Sequence, residues 1–358
     1  MEDIKLMKLR QGLESLALEA IIIWNSKNRF YFSGFTGSAG MLLITKEEQY
    51  LITDFRYFDQ AKEQALGYQY VFIAKSMTET LEEQLKKLGI KRLGFEENYW
   101  TYAEYLRLRE KADSMKLSLS PAGELIKELR LIKSEEELRI FRQAAAITDQ
   151  AFSHVMGLVK PGITEREVAI ELEFFMRRKG ALGPSFEYIV ASGKRGAMPH
   201  GVATDKKIVP GELVTIDYGC IYQGYSSDMT RNFIFGQPTD KQVEVYQTVL
   251  TAQEKALTKI KAGLNGKEVD KLARDIIVEA NFGDKFGHGL GHGLGLDIHE
   301  GPILSPQSDS VLKPGMVVTV EPGIYLSDWG GVRIEDMIVV QEENCEILTK
   351  SPKHLYII

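Results

Sequence analysis

Two stretches of alternating apolar residues, each interrupted by a short turn and each carrying acids among its apolar positions, constrain this chain more than anything else in it. Residues 212–235 alternate on either side of Tyr222-Gln223-Gly224 and predict a β-hairpin. A turn centred on Tyr222 and Gln223 sets Asp217 directly opposite Asp228, with Cβ atoms about 4.5–5.5 Å apart. Residues 316–325 and 332–340 are apolar strands around Ser327-Asp328-Trp329-Gly330-Gly331, and centring that turn on Asp328 sets Glu321 opposite Glu335. Like charges in facing positions destabilise a sheet unless something neutralises them, and carboxylates are rarely buried unpaired. One acid in such a place is ordinarily a solvated edge residue. Two facing pairs between apolar neighbours point instead to a bound cation.

Between the two hairpins runs Gly287-His288-Gly289-Leu290-Gly291-His292-Gly293-Leu294-Gly295-Leu296-Asp297-Ile298-His299-Glu300, which holds three of the six histidines. A lone histidine is more often structural. Three in twelve residues beside a carboxylate cage read as one metal ligand plus catalytic donors, with glycines letting the backbone approach closely. The run lacks GxGxxG order, and His299-Glu300 is followed by Gly301-Pro302-Ile303, so it is neither a dinucleotide loop nor HExxH. Residues 263–267 fail as a phosphate loop, with Glu268 where Ser or Thr belongs. The candidate ligands are therefore Asp217, Asp228, Glu321 and Glu335 with one histidine of this run. Their four carboxylates and neutral imidazole carry a charge that two divalent ions would cancel. A donor set dominated by oxygen favours Mn, Co or Zn over copper, and such metal pairs activate water for hydrolysis. The predicted chemistry is metal-assisted hydrolysis.

At 358 residues the chain is long enough for two ordinary domains. Its first third reads as strands at 20–24, 40–45, 50–53, 68–74 and 92–95, with helical spacing at 59–66, 78–88 and 102–111. This predicts an α/β unit over residues 1–123 and a charged connector over 124–133. The second domain is expected at 134–358. There Ser134 with Glu137 starts a helix running to about residue 158, and a second helix covers 164–178. Residues 159–168 echo 260–269 at four positions in ten, each after a long helical pattern (the second over about 241–260) and each opening another helix. The domain is expected to be two related halves; chance recurrence of Lys-x-Gly loops is the bland alternative.

Forty-four basic residues against 50 acidic ones leave a net charge of −6, which argues against a nucleic-acid surface. Two cysteines, in no CxxC pattern, argue against a disulfide framework and for a reducing compartment. No signal-peptide pattern opens the chain, and no apolar run approaches the roughly 20 residues of a membrane helix. The expectation is a cytoplasmic protein without membrane or nucleic-acid partners.

The five candidate ligands occur with Met198-Pro199-His200-Gly201, Gly291-His292-Gly293-Leu294-Gly295, Val320-Glu321-Pro322-Gly323-Ile324-Tyr325 and Gly331-Val332-Arg333-Ile334-Glu335-Asp336. Together they resemble the metallopeptidases with the pita-bread fold, and most of all the bacterial Xaa-Pro aminopeptidases (aminopeptidase P). Residues 32–40 and 51–57 resemble the creatinase-type N-terminal domain of that group. The resemblance implies an α/β creatinase-like N-terminal domain followed by an α+β pseudo-symmetric pita-bread catalytic domain. It implies two ions, usually manganese, with Asp228 and Glu335 contacting both, Asp217 one, and His292 with Glu321 the other. By the same resemblance His200 and His299 contact substrate and stabilise the tetrahedral intermediate, His288 lines the specificity pocket, and Arg333 lies near the site.

The implied reaction releases the first residue of peptides with proline at the second position. A hydroxide bridging the two metals attacks, Glu321 passes the water's proton to the prolyl nitrogen, and His299 stabilises the oxyanion. An Xaa-Pro bond is a tertiary amide without N–H, which suits a dedicated enzyme. Members of the family are commonly dimers, so a homodimer is expected. The nearest alternative is an Xaa-Pro dipeptidase. Many of these carry an Arg shortly after the His-Glu pair to bind the free carboxylate, where this chain has Ile303; that difference favours longer peptides. A methionine aminopeptidase usually lacks so large an N-terminal domain, and creatine hydrolysis on this fold needs no metal. A non-catalytic peptide-binding protein on the same fold would typically have lost ligands, and all five are present.

Overall fold

The computed structural model describes residues 4–358, which divide into two compact units, one ending at Arg130 and the other running over Leu131–Ile358. In the first unit a six-stranded sheet runs in the order Gln69–Phe72, Gln49–Thr53, Met41–Thr45, Ala20–Ile23, Arg92–Phe95, Ser118–Pro121. The central strands are continuous apolar runs because both faces are covered; Ile22, Leu43, Ile52 and Leu93 are fully buried. Around the sheet lie α1 (Ile4–Ser15), α2 (Ser26–Ser33), α3 (Phe58–Gln64), α4 (Met77–Leu88) and α5 (Tyr102–Ser114). The stretch expected to be a charged connector is mostly helical, as α6 (Gly123–Leu131). Its charged residues alternate with Leu125, Ile126 and Leu129 at helical spacing, and Ile126 is buried.

The second unit is built twice over. One half has α7 (Glu135–Met156) and α8 (Glu165–Arg178), the other α9 (Asp240–Leu257) and α10 (Gly266–Glu279). All four helices open with a capping box: Ser134 with Glu137, Thr164 with Glu167, Thr239 with Gln242, Asn265 with Glu268. The internal echo thus has a physical content. Thr164–Glu167 and Asn265–Glu268 start equivalent helices, and the shared valines Val168 and Val269 are each fully buried in their own half's core. One half supplies a four-stranded sheet including Ile189–Ser192, Leu213–Tyr218 and Met229–Ile234. The other supplies a five-stranded sheet including Gly291–Gly293, Glu300–Leu304, Val317–Val320 and Asp336–Val340. Among the described residues no helix is long and apolar enough to cross a membrane.

The first hairpin forms in a register different from the expected one. Gln223 (φ 48°) and Gly224 (φ 88°) make the turn, the left-handed pair that matches strand twist in a two-residue loop. Tyr222 then pairs with Tyr225 and Asp217 with Thr230. Asp217 and Asp228 are therefore diagonal neighbours rather than directly opposed. Because the slip is two residues, both keep the same face. The strands also pinch at Gly219, where a Cβ would fall 1.8 Å from the Ser227 carbonyl oxygen. In the second hairpin the expected register holds. Gly323 pairs with Arg333 on one side of the acids, and Val320 with Asp336 on the other.

Candidate metal centre

Both hairpins and the histidine-glycine segment converge on one cavity of about 660 Å³. Every site residue named from the sequence lines it: Asp217, Asp228, His292, Glu321, Glu335, His200, His288, His299 and Arg333. Single ligand atoms of Asp228, His292 and Glu335 all lie within 4.8 Å of one another. His292 Nε2 stands 3.3 Å from Glu321 Oε1 and 3.7 Å from Asp228 Oδ2. Its Nδ1 meets the Gly293 carbonyl at 3.1 Å. That contact places the ring proton on Nδ1 and turns a bare Nε2 toward the carboxylates. Burial lowers the His292 pKa and favours the neutral form a ligand needs.

The carboxylates are oriented by neutral donors and one cation. Thr319 Oγ1 donates to Glu321 Oε1 at 3.0 Å and accepts the His292 N–H at the same distance. Thr230 Oγ1 donates to Glu335 Oε2 at 2.7 Å. Arg333 donates to Asp217 Oδ2 at 2.6 Å, to the Tyr325 hydroxyl at 2.8 Å and to Thr230 Oγ1 at 3.2 Å. What is left over is informative. Asp217 Oδ1, Asp228 Oδ1 and Glu335 Oε1 are buried and have no hydrogen-bond partner. Burial, followed by the fields of Glu335, Asp217 and Glu321, pushes the Asp228 carboxyl well above its ordinary range. Burial and then Glu321 and Asp217 do the same to Glu335. Such a cluster is stable as an anion only with a counter-charge, and its hard oxygen donors with one imidazole fit divalent ions.

The histidines outside this cluster are placed around it. The His299 ring lies 4.3 Å from that of His292, centroid to centroid, and burial lowers its pKa first, then the neighbouring His292. His200 sits exposed on the loop after Ile189–Ser192. That loop is tied down by the fully buried Glu165, which accepts from Ser192 N, Arg195 Nε and Thr204 N at 2.9, 3.0 and 3.1 Å. His288 Nε2 meets the Tyr325 hydroxyl at 2.9 Å. Thr230, Thr319 and Tyr325 were not anticipated from the sequence. Strand alternation could have found them, since each lies two or four residues from an acid on the same face.

A metallopeptidase family M24 model matches residues 139–342, the segment that contains the whole cage. The chain belongs to metallopeptidase family M24. A model for the creatinase/prolidase N-terminal domain matches residues 5–132, so this M24 chain has a creatinase-type N-terminal domain and a pita-bread catalytic domain. It is 48% identical to an Xaa-Pro dipeptidase from Bacillus anthracis, with a TM-score of 0.96 over 99% of each chain. It is 38% identical to an X-Pro aminopeptidase from Thermotoga maritima, with a TM-score of 0.92 over 97% of this chain and 100% of the other. An Xaa-Pro dipeptidase of Pyrococcus horikoshii is 40% identical over 98% of each chain.

Proposed function

We propose that this M24 chain hydrolyses the bond between a first residue and proline, with Xaa-Pro dipeptides as its substrates and two divalent ions, manganese first among them, as its cofactors. The observation that carries the metal-dependent part is the set of three unpartnered buried oxygens, on Asp217, Asp228 and Glu335, in one cavity. The substrate is supported by relatives. The Bacillus anthracis and Pyrococcus horikoshii proteins named as Xaa-Pro dipeptidases match nearly the whole chain at 48% and 40% identity. They weigh more than the single Ile303 difference from which the sequence favoured an aminopeptidase.

Ions held by Asp217, Asp228, His292, Glu321 and Glu335 would supply Lewis acidity, acidifying water and polarising the scissile carbonyl. Burial raises the Glu321 carboxyl against the opposing charges of His288 and Arg333, which suits it to take a proton from water and release it to the prolyl nitrogen. That nitrogen carries no hydrogen of its own and leaves only when protonated. Burial lowers the His299 pKa, which favours the neutral ring whose N–H would be donated to the oxygen that gains charge. Arg333 donates to Asp217, Tyr325 and Thr230, which holds its guanidinium to the cage rather than to the substrate.

One observation favours a second reading, release of the first residue from longer peptides. Ile303 pairs with His292 across the sheet, is 56% exposed and lines the cavity without offering a charge to a terminal carboxylate. Manganese-loaded protein given Xaa-Pro and Xaa-Pro-Yaa-Zaa separates the two. At least tenfold higher kcat/KM on the dipeptide is expected; the reverse preference would make the chain an aminopeptidase.

A further inference from the structure

His288 reaches the cavity from residues 286–290, a segment outside any helix or strand in which Gly287 and Gly289 flank the histidine. Two glycines give such a segment a wide choice of backbone conformations, and holding one of them requires outside restraint. The restraint comes from a pair of side chains one turn apart on α10. Arg274 donates through Nη1 to the Phe286 carbonyl at 2.8 Å and through Nη2 to the His288 carbonyl at 2.7 Å. Asp270, 1% exposed, accepts the Leu290 N–H at 3.0 Å. It also grips Arg274 at Nε and Nη2, at 2.6 and 2.9 Å. The guanidinium carbon lies 4.1 Å from the centre of the Phe286 ring. Three alternate backbone groups, at 286, 288 and 290, are thus fixed by one clasp, while the imidazole at the middle position faces Tyr325.

We propose that Arg274, locked by Asp270, is a positioning residue that sets the place of His288 in the substrate pocket; this rests on the Xaa-Pro reading above. The planar fork is what the task requires. It serves a carboxylate and two carbonyls at once, whereas a lysine ammonium at the end of a flexible stem does not span them. Pre-set geometry of this kind raises the rate because the bound substrate does not have to order the wall that receives it.

The test combines hydrogen exchange with a double-mutant cycle on metal-loaded protein. Arg274→Ala is expected to speed amide exchange across 286–290 at least tenfold, with bound metal unchanged, and to lower kcat/KM on an Xaa-Pro dipeptide at least tenfold. In a His288→Ala background the same substitution is expected to change kcat/KM less than twofold, because the residue through which it acts is gone. Equal losses in both backgrounds, or unchanged exchange across 286–290, would overturn the proposal. Should Arg274→Ala fail to fold, Arg274→Lys is carried through the same cycle and read by the same criteria. If the unmodified protein does not cleave Xaa-Pro at all, the substrate reading fails on its own, and the exchange measurement alone decides the clasp.

Discussion

Arg333 Nη2 lies 2.6 Å from Asp217 Oδ2, with both side chains almost wholly out of solvent at 4% and 11% exposure. The contact holds one oxygen of Asp217 and leaves the other, Oδ1, unpartnered in the cage. A guanidinium donating to Asp217, Tyr325 and Thr230 together is not replaced by an ammonium. Arg333→Lys is expected to weaken divalent-metal affinity by about 10–100-fold, the scale for a group that orients a ligand. Competition with a chelating dye measures it, and unchanged affinity would mean that Asp217 needs no orienting partner.

Glu335 is 1% exposed and keeps Oε1 free while Thr230 holds Oε2. Glu335→Ala should therefore lose at least one of two ions and nearly all turnover, with the fold intact by circular dichroism. Elemental analysis of the dialysed variant is the check. Retained metal content together with retained rate would remove Glu335 from the ligand set.

The cage also predicts how metal and pH are linked. Burial and neighbouring carboxylates raise Asp228 and Glu335 well above their ordinary range. Folded, metal-free protein then holds protons that the unfolded chain has already lost. Stability from this source is present below the unfolded carboxylate value of about 4 and declines as pH rises toward the raised values. Divalent ions displace those protons. Metal binding near neutral pH is expected to release protons, seen by calorimetry as a heat that depends on the buffer's ionisation enthalpy. The melting temperature of metal-loaded over metal-free protein should widen as pH rises from about 5 to about 7. A buffer-independent heat would contradict this.

Asp336, the residue after Glu335, is fully buried and receives Arg231 Nη2 and Lys353 Nζ, each at 2.7 Å. Burial alone would raise its carboxyl, but the two cations outweigh it and hold it at about 2. Asp336→Ala leaves Arg231, itself 1% exposed, without its carboxylate, a loss on the order of 3–5 kcal/mol. Denaturant unfolding of metal-free protein measures this, and a change below about 1 kcal/mol would contradict the assignment.

The sequence and structure part company in instructive places. The Glu321–Glu335 register was legible because the turn between them is flanked by long apolar strands that allow one pairing. The Asp217–Asp228 register was read two residues off, because the left-handed pair Gln223-Gly224, not Tyr222-Gln223, makes the turn. The site survived the error because strand faces repeat every two residues. Helix α2 was not legible at all. It is eight residues long and buries Asn28 and Arg29, whose partners Glu96, Gly37 and Gly40 are set by tertiary packing. The same holds for Arg231 with Asp336, which lie far apart in the chain and meet only when it folds. Asp270 and Arg274 stand at helical spacing on α10, but the carbonyls that Arg274 holds at 286 and 288 are set by the fold.

The most direct test of the metal cage is reconstitution. Protein stripped with a chelator is titrated with manganese while bound ions and hydrolysis of an Xaa-Pro dipeptide are followed together. Turnover that is absent in the stripped protein and saturates at two ions per chain is the expected result. Hydrolysis at full rate without metal, or two bound ions with no cleavage of any proline peptide, would contradict it.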